Sequence, residues 1–201
     1  MATSAPTRQR RRGHDPESVL SIAVGVFNER GYDGTSMEDL ARALGVTKSA
    51  IYHHVPGKEQ LLARALDRAL DGLFEMVADE RAASGAAIER LEWVVRQSVR
   101  ILVDRQPYVT LLLRVRGNSR TERAALERRR EFDAFISHLV GQAAAEGGIR
   151  ADLDPALVTR LLFGTVNSIT DWYHPSRGAC ADDLADALIK MAFDGLRSDA
   201  A

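Results

Sequence analysis

Apolar residues recur at intervals of three and four along most of the chain, and they never alternate with polar ones over a bounded run. The pattern therefore predicts helices and no strands. Leu20, Ala23, Val24 and Phe27 make the first stripe, on a helix that Asp15 caps, Pro16 opens and Gly31 closes. Leu40, Ala41 and Leu44 mark a short second helix, with Ser36 and Asp39 spaced as a capping box. Gly45 is expected to stop it in the left-handed conformation, and Val46 to supply the contact that folds the chain back. Thr47 then caps a third short helix over residues 48–54, with Ile51 and Val55 inward and Lys48, Ser49, Tyr52 and His53 outward. A longer helix starts at Lys58 and runs through Leu61, Leu62, Ala65, Leu66, Ala69, Leu73 and Val77.

After Ser84-Gly85 a helix carries Ile88, Leu91, Val94, Val95, Val99 and Leu102, and Pro107 opens a short segment from Tyr108 to Val115. Gly117-Asn118-Ser119 introduces a long charged helix that buries Ala125, Phe132, Phe135, Ile136, Leu139 and Val140 and ends near Gly147-Gly148. Its Arg128-Arg129-Arg130 run is flanked by Glu127 and Glu131 and reads as a solvated face. Asp154-Pro155 opens a helix through Tyr173 that is apolar nearly all the way round, so it needs cover on two sides. A final amphipathic helix, Asp182 to Leu196, is placed to join it and the same two helices of a second copy in a four-helix bundle. The expected interface comprises Leu161, Thr165, Ser168, Trp172, Leu184, Leu188 and Met191, making the protein a homodimer.

Two helices joined by a short Gly-containing turn form a helix-turn-helix, whose second helix enters the DNA major groove and presents its N-terminal side chains to base edges. Lys48 and Ser49 sit in that first turn, where Lys48 reaches guanine acceptors or a phosphate; Tyr52 and His53, one turn on, suit the sugar-phosphate backbone. Lys58, beside free amides at a helix start, serves either as a phosphate clamp or as a surface charge.

Residues 16–62 resemble the N-terminal domain of the TetR family of bacterial transcriptional regulators. Three segments carry the likeness: Gly31-Tyr32-Asp33-Gly34-Thr35-Ser36, the corner Leu40-Ala41-Arg42-Ala43-Leu44-Gly45-Val46, and the exit Tyr52-His53-His54-Val55-Pro56-Gly57-Lys58-Glu59-Gln60-Leu61. Val55 departs from the family's usual Phe, which shrinks a core contact and leaves the DNA face alone. The resemblance implies an all-α protein with a flexible basic arm over residues 1–14, a DNA-binding domain over 15–60, and a helical ligand-binding and dimerisation domain over 61–198. Its DNA-contacting set would be Thr35, Ser36, Thr47, Lys48, Ser49, Tyr52, His53 and Lys58. It further implies a repressor that grips a palindromic double-stranded operator as a dimer, with recognition helices about 34 Å apart, and that a small-molecule effector releases.

Composition narrows the alternatives. At 201 residues and 45% apolar content the chain can bury a sizeable core. It has no apolar run of about eighteen residues to span a membrane, and no apolar segment behind Arg8, Arg10, Arg11 and Arg12 to make a secretory signal. Cys180 is the single cysteine, which excludes an internal disulfide and fits the cytoplasm. The formal charge of −1 offers no global basic field. Half of the basic residues before position 61 lie in the N-terminal arm, which reads as a solvated tail in preference to a minor-groove contact. His14, His53, His54, His138 and His174 are scattered, and no phosphate loop or Ser-centred nucleophile motif occurs. No enzyme activity, cofactor or metal is expected.

The candidate effector wall is Trp93, Arg96, Tyr108, Leu112, Phe132, Phe135, Phe163, Asn167 and Asp171; only Arg96 and Asn167 demand a partner if buried. The stretch Asp171-Trp172-Tyr173-His174-Pro175 is similar to the branch of the family that senses acyl-CoA thioesters. No compact basic cluster for the CoA phosphates stands out along the chain. An aromatic or drug-like effector with an efflux gene as target is the alternative, and a helical adaptor that does not bind DNA is the remaining one.

Overall fold

A computed structural model describes residues 15–53 and 55–196, and among these it contains helices and no strand. The expected basic arm and His54 lie outside the described residues. The chain forms two compact units, Met1–Leu61 and Leu62–Ala201.

In the first unit, α1 spans Pro16–Arg30. The Asp15 carboxylate accepts the Glu17 and Ser18 amides at 3.0 and 2.9 Å, satisfying donors that the first turn leaves open. α2 is Met37–Ala43, and both halves of its capping box are made: Asp39 N–H donates to Ser36 Oγ at 3.2 Å and Ser36 N–H to Asp39 Oδ2 at 3.0 Å. Hydrogen bonds from Ser36, then the charges of Arg42 and Arg30, hold the Asp39 carboxyl below its ordinary 3.8. α3 is a single turn, Lys48–Ile51, shorter than the expected 48–54. Pro56 disfavours helical geometry at the residue before it, and the chain leaves α3 by a tightened turn in which His53 N–H donates to Ala50 O. Val19, Leu20, Ala23, Val24, Phe27, Leu40, Ile51 and Val55 are buried together as this unit's core.

α4, Lys58–Val77, begins in the first unit and lies mostly in the second. It is followed by α5 (Glu80–Ala83), α6 (Ala87–Asp104), α7 (Gln106–Arg114), α8 (Arg120–Ala145), α9 (Pro155–Trp172), a short 3₁₀ turn at Pro175–Arg177, and α10 (Ala181–Leu196). The pattern did not predict α5, a one-turn element too short to show a period. It exists because Asp79 caps it and binds Arg81 through both carboxylate oxygens, which brings the Asp79 pKa down to about 2.

α6 is the centre of the second unit: α5, α7, α8, α9 and α10 all pack on it. Leu91, Val94, Val95, Val99 and Leu102 are buried along it. Its one buried hydroxyl, Ser98, donates to Val94 O at 2.8 Å and so needs no outside partner. On its α10 side Arg96 pairs with Asp186 and Arg100 with Asp182. Gly72 of α4 lets this assembly close, because a Cβ there would lie 2.8 Å from the Arg105 guanidinium, which donates to Arg68 O at 2.8 Å.

The loop between α7 and α8 turns on one buried carboxylate. A single oxygen of Glu122 accepts the amides of Arg116, Gly117 and Asn118 at 3.2, 2.8 and 2.8 Å. Glu122→Ala strands these donors and is expected to destabilise the protein by about 1–3 kcal/mol, measured as a lowered urea midpoint against wild type. An unchanged midpoint would mean that solvent satisfies these amides.

Acid should also loosen the first unit. The lowered Asp39 pKa makes its contribution fully present above the ordinary aspartate value and lost as pH falls through the folded-state value. Asp39→Asn is expected to flatten that part of the stability–pH profile, and an unaltered profile would remove Asp39 from it.

Candidate nucleic-acid interface and inner cavity

The corner between α2 and α3 is built from backbone hydrogen bonds that only a left-handed residue permits. Gly45 sits at φ +65; its N–H donates to Arg42 O at 3.1 Å, and that of Val46 reaches back to Ala41 O at 3.0 Å. This is a Schellman closure, and it sets the exit direction of the chain. Thr47 Oγ1 accepts the Ala50 amide at 3.2 Å, which starts α3 at once. Ile51 is fully buried and fixes the rotation of α3, leaving Lys48, Ser49, Tyr52 and His53 exposed. Lys48 and Tyr52, four residues apart, share one face.

Two predicted contact residues are committed to the fold instead. Thr35 is buried, and its hydroxyl donates to Gly31 O at 2.7 Å. The Lys58 ammonium donates to Tyr32 O at 3.0 Å and Thr35 O at 2.8 Å and lies 4.5 Å from the Tyr32 ring centroid. It pins the α1–α2 loop to the start of α4, so Lys58, read from sequence as a phosphate clamp or a surface charge, has a structural role that uses two of its three donors. Ser36 and Thr47 stay exposed, with their oxygens serving as helix caps.

In the second unit a cavity of about 50 Å³ lies among α4, α6, α7, α8 and α9. Ala69, Leu73, Ser98, Ile101, Leu102, Val109, Leu112, Leu113, Phe132, Phe163 and Val166 make its walls, and Arg129, Asp133 and Asn167 add the polar part. Phe132 and Phe163 meet edge to face with centroids 5.3 Å apart. A second, outer cavity of about 430 Å³ lies between α8 and α9 and shares Arg129, Asp133, Phe163 and Asn167 with the first. Arg130, Arg160, Ser137 and Thr159 also line it. Burial pushes the Asp133 carboxyl above its ordinary value, against the opposing pull of Arg129 and Arg160.

Residues 19–65 match the family model of bacterial regulatory proteins of the tetR family, and residues 84–196 match a tetracyclin repressor-like C-terminal domain. The chain belongs to the TetR family. It is 56% identical to SCO3833, a TetR-family member from Streptomyces coelicolor A3, over 92% of this chain and 94% of that one, with a TM-score of 0.85. It is 29% identical over 187 residues to the HTH-type transcriptional repressor KstR2 of Rhodococcus jostii (strain RHA1), covering 90% of each. AibR, solved in complex with isovaleryl coenzyme A and operator DNA, is 29% identical over 89% of this chain and 97% of its own, with a TM-score of 0.73.

Of the wall residues expected for this TetR regulator, Leu112, Phe132, Phe163 and Asn167 line the inner cavity. The other five do not. Trp93 lies under the Arg81 guanidinium at 4.8 Å, Arg96 is paired with Asp186, and Arg68 stacks 5.3 Å from the Tyr108 ring. Phe135 is half-buried elsewhere on α8, and Asp171 is exposed. Sequence reasoning missed Arg129, Arg130, Asp133 and Arg160. The signal that finds them is the four-residue step from Arg129 to Asp133 on α8, set beside Arg160, Phe163 and Asn167 on α9.

The Arg128-Arg129-Arg130 run is not one solvated face. Arg128 bonds Asp67 and Asp71 of α4 at 3.0 and 2.9 Å and lies 5.0 Å from the Phe74 ring centroid; Arg129 lines both cavities, and Arg130 pairs with Glu127 at the outer one. Consecutive helical residues point about 100° apart, so the run is divided among these directions.

The residues expected at a dimer interface divide too. Leu161, Trp172 and Met191 are 64%, 52% and 68% exposed; Thr165 is exposed, Ser168 and Leu184 are half-buried, and Leu188 is buried. Leu161, Thr165, Leu188 and Met191 line an apolar groove of about 220 Å³ on α9 and α10 with Leu153, Val158, Leu162 and Ala192. Among the described residues no helix is long and apolar enough to cross a membrane, and no cluster of three or more His, Cys, Asp or Glu side chains is placed to hold a metal.

Lys58→Met is expected to lower the stability of the first unit by about 1–3 kcal/mol while leaving the salt dependence of DNA binding unchanged, as follows if the ammonium stays on the Tyr32 and Thr35 carbonyls and displaces no counterion. A shallower slope of log affinity against log salt would return Lys58 to the phosphate contacts.

Proposed function

We propose that the chain is a TetR-type repressor that binds a palindromic operator as a homodimer and is released by an acyl-CoA thioester. The observation that carries the effector is the adjacency of the two cavities: an apolar chamber shares Asn167, Arg129 and Asp133 with a groove lined by Arg129, Arg130 and Arg160. Three guanidiniums, one of them paired with Glu127, face the Asp133 carboxylate; this positive excess suits a polyanion, and forked donors suit phosphate oxygens. An acyl chain would occupy the chamber and the CoA phosphates the groove. The basic cluster absent from the linear sequence is thus assembled from two helices. The same arginines disfavour a cationic drug-like effector. AibR, whose solved complex holds isovaleryl coenzyme A, and KstR2, named a repressor, support the reading.

On DNA, Lys48 would read base edges and Tyr52 a phosphate, with Ser49, Thr47 and His53 alongside. The bare apolar surface of α9 and α10, with Leu157 exposed beside Leu161, Trp172 and Met191, is the surface a second copy would cover. An effector releases the operator only if it binds the non-gripping state more tightly, and tight binding to both states shifts nothing.

Purified protein should retard a palindromic fragment from near its own gene, and CoA thioesters should reverse the shift. Tyr52→Ala should weaken binding to all sequences alike, whereas Lys48→Ala should also relax base preference. Arg129→Ala with Arg160→Ala should abolish release by thioesters and leave operator binding intact; release that persists would overturn the groove assignment. Leu161→Glu with Met191→Glu should yield a monomer by sedimentation, with operator affinity lost; a dimer that persists would place the interface elsewhere.

A further inference from the structure

We infer that the effector's acyl group is short, aliphatic and uncharged, with Phe132 and Phe163 setting its size limit. This rests on the acyl-CoA reading above and adds to it the class of acyl group.

The inner chamber measures about 50 Å³. A dry cavity of about 150 Å³ accommodates one benzene ring, so the chamber holds a few aliphatic carbons and no ring. Its chemistry points the same way. Ser98 carries the hydroxyl on the inner wall, and that hydroxyl is spent on Val94 O at 2.8 Å. The remaining polar side chains, Arg129, Asp133 and Asn167, all belong to the stretch shared with the outer groove. A carboxylated tail would therefore be buried without a donor, which a site of this kind rejects strongly. A thioester carbonyl at the shared stretch meets the Asn167 amide.

Phe132 comes from α8 and Phe163 from α9, with ring planes at 82° and centroids 5.3 Å apart. Phe132 is nearly fully buried, and Phe163 borders both cavities, so the pair stands where chamber meets groove. A ring-bearing or long acyl group has to part them and open the packing of α8 on α9. A group with only two or three carbons beyond the thioester carbonyl, such as isobutyryl, needs far less displacement.

Calorimetric titration of the full-length protein with free coenzyme A, isobutyryl-CoA, octanoyl-CoA and phenylacetyl-CoA tests this. Isobutyryl-CoA is expected to bind about ten-fold or more tighter than each of the other three, from burial of its methyl groups. Phe132→Leu, a milder truncation than Ala whose folding is checked by its melting curve, is expected to improve phenylacetyl-CoA until the gap closes to about three-fold. Leu112→Trp, which fills the chamber, is expected to leave free coenzyme A unaffected and erase the advantage of isobutyryl-CoA. Wild-type binding of phenylacetyl-CoA or octanoyl-CoA as tight as that of isobutyryl-CoA would overturn the size limit while leaving the CoA reading in place. Failure of all four to bind would overturn the CoA reading and this inference together.

Discussion

α9 is a helix with too much apolar surface for one neighbour, and the second unit is arranged around that surplus. Val158, Leu162, Phe163, Val166 and Ile169 turn inward against α6 and α8, while Leu157, Leu161 and Trp172 stay in solvent. The inward side closes the inner chamber through Phe163, Val166 and Asn167. The outward side borders the groove that α10 completes with Leu188 and Met191. One circumference thus serves a cavity wall and an apolar exterior, so a residue that rotates α9 changes both. The helix ends are fixed accordingly: Asp154 accepts the Leu157 amide at 2.8 Å, and the Gln106 amide donates to Thr170 O and Tyr173 O at 3.3 and 3.2 Å.

The arginines show what a linear pattern can and cannot convey. Helix type, and every helix but the one-turn α5, were legible because apolar periodicity reports which side of each helix is covered. The unusual burial demand of α9 was legible for the same reason. The destination of a charged side chain was not, because it depends on which helix stands opposite. Arg128, Arg129 and Arg130 are adjacent in sequence, yet one clasps α4, one reaches a cavity and one pairs with Glu127. Arg160 joins them across a gap of thirty residues that no motif spans. The wall candidates divided on the same ground. Phe132, Phe163, Leu112 and Asn167 lie on the faces that converge, whereas Trp93 and Arg96 lie on parts of α6 turned toward Arg81 and α10.

In the first unit the backbone was more legible than the side chains. Asp15, Ser36, Gly45 and Thr47 perform the capping and turning that their spacing predicts, since each acts on amides one to five residues away. Lys58 acts over a longer range, on carbonyls 26 and 23 residues earlier in the chain, and only the folded loop brings them within reach. Thr35 is part of the same arrangement: its hydroxyl returns to Gly31 O, and its own carbonyl accepts from Lys58. A lysine at the start of a helix suggests an anion site by position alone, but two carbonyls and an aromatic face had already claimed this one.

The walls of the inner chamber are held by different contacts. α4 contributes Ala69 and Leu73, and the same stretch is fastened on its other sides: Arg128 grips Asp67 and Asp71, and Arg105 donates to Arg68 O across Gly72. These contacts tie α8 and the α6–α7 junction to successive turns of one helix, each exposed ion pair adding at most about 1 kcal/mol. The opposite wall is packed from buried apolar side chains of α8 and α9, with Ile136, Leu139, Val158, Leu162 and Val166 among them, and the aromatic edge contact adds about 0.5–1.5 kcal/mol beyond that burial. Phe132 and Phe163 are the two aromatic side chains on the chamber wall, and Phe163 also borders the outer groove. The groove beyond those rings has room to receive a displaced side chain, whereas the α4 side has a guanidinium packed against Gly72 and no such space. Adaptation to a larger acyl group would run through α8 and α9, and hence through the helix whose far side is the exposed apolar surface.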